Sequence, residues 1–531
     1  MLLGDTLIHT TEKYPQKTAV VNMNRKITYE QLNKNAASLA NGLISEGICR
    51  QDRIAVYLEN SIESVVSIYG ILKSDGVFLI INPQVKHKKL SYILNDCQVK
   101  ILVTDFTGMQ QIINEKIECP SLKLILISDY EIMHDGIMPV TLEQFGDLPF
   151  PVKIAGFGEF IRAFSDSEPV SQSIDLDLAA LAYTSGSTGY PKGVMLTHVN
   201  MLTAARSITK YLDNRPDDII LNYLPLSFDY GLYQVLMSCL FGGTVVLEKA
   251  FIYPYRAIEK IIEEKVTGFP IVPAMAALIL QMNKLSNYDF NSVRYITNTG
   301  QALAPVHINK IQTVFQKAKI YSMYGLTECK RVSFLNPSEI NSRPLSVGKA
   351  IPNTEVWLID ETGNRIKKPD TVGELVIRGS HIMKGYWNKP NETDAVLKSG
   401  IYPDEKVLLS GDFFKMDRDG YLYFVSRKDD IIKSGGERIS PREIEDVLYQ
   451  IEGVNEAAVI GVADSILGYA PKAFLVFNEG HTISKQKILK HCREHLEQSR
   501  VPKYLEIRDS LPKSSNGKIR KKDLEIETFA T

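Results

Sequence analysis

The sequence has little of what marks secreted, membrane-spanning or nucleic-acid-binding proteins. Its 61 Lys and Arg residues and 62 Asp and Glu residues leave a formal net charge of −1, too little to attract nucleic acid or anionic lipid over a distance. No uninterrupted apolar run reaches the ~18 residues of a membrane span, and the N-terminus lacks the basic start and apolar run of a signal peptide. We expect a soluble, cytoplasmic protein without nucleic-acid or membrane partners.

Cysteine is also sparse and scattered. The six cysteines lie at positions 49, 97, 119, 239, 329 and 492, with no CxxC pair among them. This spacing argues against a disulfide framework and against a zinc site. We therefore expect the six cysteines to be reduced thiols.

The length and the hydrophobic patterning predict more than one domain. A chain of 531 residues exceeds what one core usually holds. Strand-like "RIAVYL" (53–58), "GVFLIIN" (76–82) and "VKILVTD" (99–105) alternate with helical patterns, and the same rhythm returns between 242 and 325. Strand, helix and strand in this order predict parallel sheets covered by helices.

The predicted pattern of helices and strands changes twice further along the chain. From about residue 345, short alternating strands such as "GELVIRG" and "GYLYFVSRKDD" predict an antiparallel or barrel-like section. After residue 430, helical and strand patterns alternate again in a tail of about a hundred residues. The predicted boundary between the two parts is a hinge near 426–430.

One segment is rich in glycine and hydroxyl residues, "YTSGSTGYPKGVMLTH" at 183–198. Such a loop can turn backbone N–H groups toward one point, and its hydroxyls add donors, which suits a polyphosphate. It is not a Walker A loop, because Lys192 lies between Pro191 and Gly193 rather than before Ser or Thr. A flexible Gly/Ser connector is the alternative. The predicted phosphate-binding residues are Thr184, Ser185, Gly186, Ser187, Thr188, Gly189 and Lys192.

This segment resembles the signature loop of the adenylate-forming superfamily, and further motifs follow in the family's order. They are "YGLTE" (324–328), "GELVIRG" (373–379), "GYWNKP" (385–390), "SGDFFKMDRDGYLYFVSRKDDIIKSGGERISPREIE" (410–445) and "NGKIRKKDL" (516–524). The resemblance implies an α/β fold with a large N-terminal domain, 1–426, of two helix-covered sheets plus a small barrel-like β section. A small mobile α+β domain, 427–531, would follow and carry the catalytic lysine.

The resemblance also implies a reaction. A carboxylate joins the α-phosphate of ATP, pyrophosphate leaves, and the acyl group then passes to a thiol, with ATP and Mg²⁺ required. The implied catalytic residues are Lys518, Thr327, Glu328 as the metal ligand, and Gly435. The implied nucleotide-binding residues, beside the loop, are Gly300, Gln301, Tyr324, Gly325, Asp412 and Arg427, with Asp429 as the hinge. The family usually has Gly before the arginine, where this chain has Ser426.

The choice of acid depends on "LPLSFDYGLYQ" (224–234). The resemblance implies that Asp229 pairs with the α-ammonium of an amino acid, and a buried ammonium needs such a counter-charge; a turn residue is the other interpretation. Together with "CKRVSFL" (329–335), this stretch resembles freestanding enzymes that adenylate L-proline for a separate phosphopantetheinylated carrier protein. The predicted pocket residues are Asp229, Tyr230, Tyr233, Thr299, Met323 and Val332.

Two other functions stay open. An AMP-forming acyl-CoA synthetase would use a fatty or aryl acid and CoA instead of an amino acid and a carrier protein. A nucleotide-binding scaffold or sensor without catalysis would keep the same loop. A catalytic role is favoured by the presence together of Lys192, Thr327, Glu328, Asp412, Arg427 and Lys518.

Overall fold

The computed structural model describes residues 1–128, 130–133, 136–139, 151–184, 191–428, 430–434, 437–464, 467–481, 483–514 and 517–529. Its helices are α1 (Asp5–Lys13), α2 (Tyr29–Ser45), α3 (Ile62–Lys73), α4 (His87–Asp96), α5 (Phe106–Asn114), α6 (Phe157–Arg162), α7 (His198–Leu212), α8 (Asp229–Phe241), α9 (Pro254–Glu263), α10 (Pro273–Leu280), α11 (Pro305–Val314), α12 (Pro390–Val396), α13 (Pro441–Leu448), α14 (Lys485–His495) and α15 (Lys521–Phe529). Short 3₁₀ turns lie at Leu285–Asn287, Pro337–Glu339 and Gln498–Arg500.

The strands of the first half are β1 (Thr18–Asn22), β2 (Arg25–Thr28), β3 (Arg53–Tyr57), β4 (Val77–Ile80), β5 (Ile101–Thr104), β6 (Leu124–Ile127), β7 (Tyr130–Met133), β8 (Gly136–Pro139), β9 (Lys153–Gly156), β10 (Leu178–Thr184), β11 (Lys192–Thr197), β12 (Ile219–Asn222), β13 (Thr244–Leu247) and β14 (Gly268–Ile271). The strands of the second half are β15 (Tyr295–Asn298), β16 (Lys319–Tyr324), β17 (Ser333–Phe334), β18 (Lys349–Ala350), β19 (Thr354–Ile359), β20 (Gly373–Gly379), β21 (Gly385–Tyr386), β22 (Leu397–Ser399), β23 (Lys406–Met416), β24 (Leu422–Arg427), β25 (Ile432–Ser434), β26 (Glu437–Ile439), β27 (Val454–Asp464), β28 (Gly468–Phe477) and β29 (Tyr504–Ile507).

Two large sheets form the body of the protein. One has nine strands in the order β18-β17-β16-β15-β14-β12-β13-β1-β2, and the other has eight in the order β21-β11-β10-β4-β3-β5-β6-β9. The central pairs of both sheets are parallel. Antiparallel strands lie at both edges of the nine-stranded sheet and at the β21 edge of the eight-stranded sheet, whose other edge strand, β9, is parallel. Parallel strands need helical crossovers, and α3 between β3 and β4 is an example. The predicted helix-covered parallel sheets are confirmed.

Helix α7 shows how local sequence sets these elements. The Thr197 hydroxyl accepts a hydrogen bond from the Asn200 backbone N–H at 3.2 Å, and the Asn200 side chain accepts one from the Thr197 N–H at 2.9 Å. This reciprocal cap satisfies two amide groups that a helix start leaves unpaired. The helix therefore begins at the end of β11, the strand that follows the glycine-rich loop.

Two smaller sheets follow. Strands β19-β20-β23-β22, with β24 paired to β23, form an antiparallel sheet, and β26-β25-β28-β27, with β29 beside β28, form the sheet of the tail. The tail has its own apolar cores, which include Ile444, Leu448, Val459 and Ile488. The predicted fold class is thus confirmed. The predicted boundary after residue 426 falls at the end of β24 and stays a prediction.

A helix that crosses a bilayer needs about 20 consecutive, mostly apolar residues. Within the described ranges, no helix combines the length and the apolar character needed to cross a membrane.

Candidate active site

The predicted site residues lie together at the carboxyl ends of the parallel strands of the nine-stranded sheet. Strand β15 ends at Asn298 and is followed by Gly300 and Gln301, and the neighbouring parallel strand β16 ends at Tyr324. Helix α8 begins at Asp229, after β12 of the same sheet. Carboxyl ends of parallel strands are where open α/β sheets usually bind ligands.

The glycine-rich loop connects an antiparallel hairpin of the eight-stranded sheet. Strands β10 and β11 pair with Thr184 opposite Lys192. Ser185, Gly186, Ser187, Thr188 and Gly189 lie outside the described residues, so their predicted role stays a prediction. The Lys192 ammonium lies 5.2 Å from the centre of the Tyr386 ring. This contact positions the ammonium next to the β10–β11 hairpin.

Glu328 is connected to the same tyrosine. The Tyr386 hydroxyl donates a hydrogen bond of 2.7 Å to Glu328 Oε1, and the backbone pairing of β21 with β11 holds Tyr386 opposite Val194. Burial and the neighbouring Glu328 charge raise the pKa of Tyr386 far above its ordinary value, so it acts as a donor. Glu328 and the adjacent Thr327 offer hard oxygen ligands on one short turn, a donor set that fits Mg²⁺.

Tyr324, Asp412 and Arg427 form a second group. The Tyr324 hydroxyl donates a hydrogen bond of 2.6 Å to Asp412 Oδ2, and Arg427 Nε lies 3.9 Å from Asp412 Oδ1. Asp412 and Arg427 face each other because β23 and β24 pair in that register. Burial raises the pKa of Asp412 to about 6, while Arg427 and the Tyr324 hydrogen bond act against this rise.

Lys518, from the tail, reaches the same edge. Its ammonium lies 5.3 Å from the centre of the Phe228 ring, and a Cβ added at Gly300 would lie only 2.9 Å from its Cε. The Lys518 N–H donates to Ser514 Oγ at 3.2 Å, which fixes the turn that carries it. Burial lowers the pKa of Lys518, and the charges of Asp229 and Asp412 act in the opposite direction. The described tail therefore brings this cation to the ends of the parallel strands.

The predicted acid pocket lies beside Lys518. Asp229 Oδ2 lies 3.3 Å from the Lys330 ammonium, so an internal cation already neutralises this carboxylate. The Thr299 hydroxyl accepts a hydrogen bond of 2.6 Å from Arg331 Nη1. The other predicted pocket residues, Tyr230, Tyr233, Met323 and Val332, are buried.

Several residues of the site were not among the predicted ones. They are Phe228, Lys330, Arg331 and Tyr386. Tyr386 belongs to the motif "GYWNKP", and Lys330 and Arg331 follow "YGLTE" directly. Two adjacent cations within the apolar stretch "CKRVSFL" were the signal that could have indicated a buried charge.

Two further predicted residues, besides those of the glycine-rich loop, are not described by the structure. Asp429, the predicted hinge, and Gly435, predicted to face the thiol-transfer site, lie outside the described residues. Both roles stay predictions.

The site has the features of an AMP-binding enzyme. Comparison with known families agrees with this class. The profile described as "AMP-binding enzyme" matches residues 7–387, and that of "AMP-binding enzyme C-terminal domain" matches residues 443–518. The chain belongs to the AMP-binding enzyme family. It is an AMP-forming ligase, and it uses ATP with Mg²⁺, as the sequence predicted.

Individual relatives cover almost the whole chain. A long-chain-fatty-acid–CoA ligase from Bacillus subtilis is 32% identical over 99% of this chain and 94% of its own length. Among solved structures, the anthranilate CoA ligase AuaEII in complex with anthranoyl-AMP has a TM-score of 0.88 at 25% identity, covering 100% of this chain and 98% of that one. A Mycobacterium tuberculosis fatty acyl CoA synthetase has a TM-score of 0.75 at 27% identity, with 100% and 98% covered.

Proposed function

We propose that this protein is an AMP-forming acyl-CoA ligase, which activates a carboxylic acid with ATP and transfers the acyl group to the thiol of CoA. The observation that carries the proposal is the position of the Lys518 ammonium, beside Phe228 and Gly300 at the strand ends that also hold Tyr324. The names of the relatives, all three of them acid–CoA ligases or synthetases, support CoA as the acceptor.

The first step joins two anions. A carboxylate oxygen of the acid attacks the α-phosphorus of ATP, the bond to the β-phosphate oxygen breaks, and pyrophosphate leaves. An ammonium held between the carboxylate and the α-phosphate stabilises the negative charge that gathers on the bridging oxygen. Lys518 is the cation that we assign to this position, and the lack of a side chain at Gly300 leaves room for it.

The nucleotide requires acceptors and further cations. Asp412 offers a carboxylate to the ribose hydroxyls, and Arg427 adds positive charge next to it. Tyr324, whose hydroxyl is fixed on Asp412, would cover the adenine. Lys192, Thr327 and Glu328 would serve the phosphates and Mg²⁺, which when bound neutralises phosphate oxygens.

In the second step the thiol sulfur attacks the carbonyl carbon of the acyl-AMP, and the carbon–oxygen bond to AMP breaks. The thiol proton leaves to solvent, and AMP departs. The groups that serve this step would come from the stretch around Gly435, as the family resemblance implies.

A second candidate is the ligase that loads an amino acid, such as L-proline, onto a separate carrier protein. Asp229 favours it, because a carboxylate beside the reacting centre can pair with an α-ammonium. The 3.3 Å contact between Asp229 and Lys330 weighs against it, because an incoming ammonium would have to share this carboxylate with an existing cation.

The test is acid-dependent exchange of labelled pyrophosphate into ATP over a panel of alkyl, aryl and amino acids, followed by thioester formation with CoA. We expect exchange with an acid that lacks an α-amino group, and thioester formation with free CoA. Exchange with amino acids alone would favour the carrier-protein ligase.

The variant Lys518→Ala tests the role assigned to this lysine. We expect the exchange rate to fall by about 10²–10³-fold with ATP binding retained, because the lysine acts on the developing charge. Lys513→Ala, in the same basic tail but paired with Glu456, is the control and should keep the activity. Equal activity of both variants would contradict the assignment of Lys518.

A further inference from the structure

We propose that Lys330 and Arg331 form a subsite for a second anionic group of the acid, so that the preferred substrate is a short acid carrying a second carboxylate. The inference deepens the proposed function and rests on it. It names the part of the substrate that lies farther from ATP than the carboxylate to be activated.

Both cations are buried in the protein. The side chain of Lys330 is 4% exposed, and Arg331 as a whole is 2% exposed. Together with Tyr230, Tyr233, Met237 and Met323, among others, they line a small cavity. Lysine and arginine are rarely buried to this extent unless they are paired.

The arginine is only partly satisfied. Its Nη1 donates to Thr299 Oγ1 at 2.6 Å, whereas its buried Nε has no hydrogen-bond partner within the described part of the chain. Leaving a buried donor of a charged group unpaired is unfavourable, because the group has lost its water without gaining an acceptor. An anion in the cavity would supply the missing acceptor.

Within the residues that the structure describes, the charges of the cluster do not balance. Lys330 and Arg331 contribute two positive charges, and the carboxylate in contact with Lys330 is that of Asp229. The centres of the Tyr230 and Tyr233 rings lie 5.4 Å and 4.6 Å from the Lys330 ammonium, but a contact with an aromatic ring is weaker than the ion pair that a buried charge requires. A substrate carboxylate would neutralise the excess, whereas an alkyl chain would leave it and an ammonium would increase it.

The subsite lies directly behind the reacting groups. Asp229, which contacts Lys330, follows Phe228, the ring that Lys518 contacts. Thr299, which contacts Arg331, precedes Gly300. The cavity has a volume of about 10 Å³, room for about one water, so a carboxylate that binds there must displace some of the side chains that line it. Because Asp229 and Thr299 are the chain neighbours of Phe228 and Gly300, only a short spacer between the two carboxylates fits.

The test compares acids of equal length that differ only at the far end: butanoate with succinate, and pentanoate with glutarate. Acid-dependent pyrophosphate exchange gives kcat/KM for each. We expect the wild-type protein to prefer the diacid of a pair by at least tenfold. We expect Arg331→Met and Lys330→Met to remove or reverse that preference while the KM for ATP stays within about twofold.

One further variant and one control distinguish loss of the subsite from loss of folding. Arg331→Gln keeps a donor for Thr299 but no charge and should also lose the preference, and thermal unfolding reports whether each variant is folded. Arg343→Met is the control, because Arg343 pairs with Asp417 and Asp419, away from the cavity, and it should keep the diacid preference. Preference for the monoacid in the wild-type protein, or an unchanged preference in folded Arg331→Met and Arg331→Gln, overturns the inference and leaves the ligase function intact. Exchange with no acid of any class overturns the proposed function itself.

Discussion

Gly300→Ala separates the role of Lys518 from the stability of the fold. Gly300 has a backbone φ of +88°, where an L-residue with a side chain costs about 1–2 kcal/mol. The added Cβ would also lie 2.9 Å from Lys518 Cε, and carbon atoms in contact normally stay about 3.5–4.0 Å apart. The lysine tip must therefore move by about 0.6–1.1 Å, because it is flexible and the backbone is not.

A displacement of this size falls on the reacting centre. Misplacing a group there by 1 Å can cost about 10²-fold in rate, so we expect acid-dependent pyrophosphate exchange to fall by about 10–100-fold. Formation of the thioester from preformed acyl-AMP and thiol should change little, because the proposed role of Lys518 is confined to the first step.

Gly363→Ala is the matched control. Its φ of +84° repeats the backbone cost, but no atom lies within 4 Å of its added Cβ. Both variants should lose a similar free energy of unfolding in denaturant titrations, and only Gly300→Ala should lose exchange activity. Equal exchange rates in the two variants would show that Gly300 is not needed to make room for Lys518.

Three other substitutions test different parts of the site. Burial raises the pKa of Asp412 from 3.8 to about 6, which corresponds to about 3 kcal/mol against the charged form. The folded state therefore binds this proton more tightly than the unfolded state. The charged carboxylate destabilises the folded state above pH 6, and this destabilisation disappears as the pH falls toward 3.8. Asp412→Asn should therefore raise the free energy of unfolding at pH 8 by up to about 3 kcal/mol while raising the KM for ATP, and a less stable variant in urea titrations would contradict this. Tyr386→Phe removes the donor to Glu328 Oε1, a bond worth ~1.5–3 kcal/mol, and should raise the Mg²⁺ concentration for half-maximal exchange by about tenfold; an unaltered Mg²⁺ titration speaks against the link. Gly325→Ala would place a Cβ 2.1 Å from the Lys330 backbone oxygen, which cannot rotate away, so we expect a loss of more than about 3 kcal/mol, and wild-type stability would show that the backbone adapts.

Much of the fold could be predicted because its elements have local causes. The pattern "HVNMLTAARSITKYL" predicts a helix, and α7 spans the same residues, 198–212. The stretches 53–58 and 99–105 contain β3 and β5, since buried parallel strands are short continuous apolar runs. The ends of elements were less well predicted, as at "GVFLIIN" (76–82), where β4 covers only Val77–Ile80; chain ends depend on pairing partners that a local pattern does not contain.

The motifs and their order were sufficient to assign the family and the chemical types of side chain at the site, because glycine-rich loops, hydroxyls, carboxylates and lysines carry their chemistry wherever they lie. Which charged side chains contact each other depends on the three-dimensional fold. Asp229 and Lys330 are separated by 101 residues and lie 3.3 Å apart, because α8 and the turn after β16 converge at one edge of the nine-stranded sheet. That contact changes the expected partner of the pocket from a cation to an anion, since the net charge of a buried cluster is a property of the fold and not of any one motif.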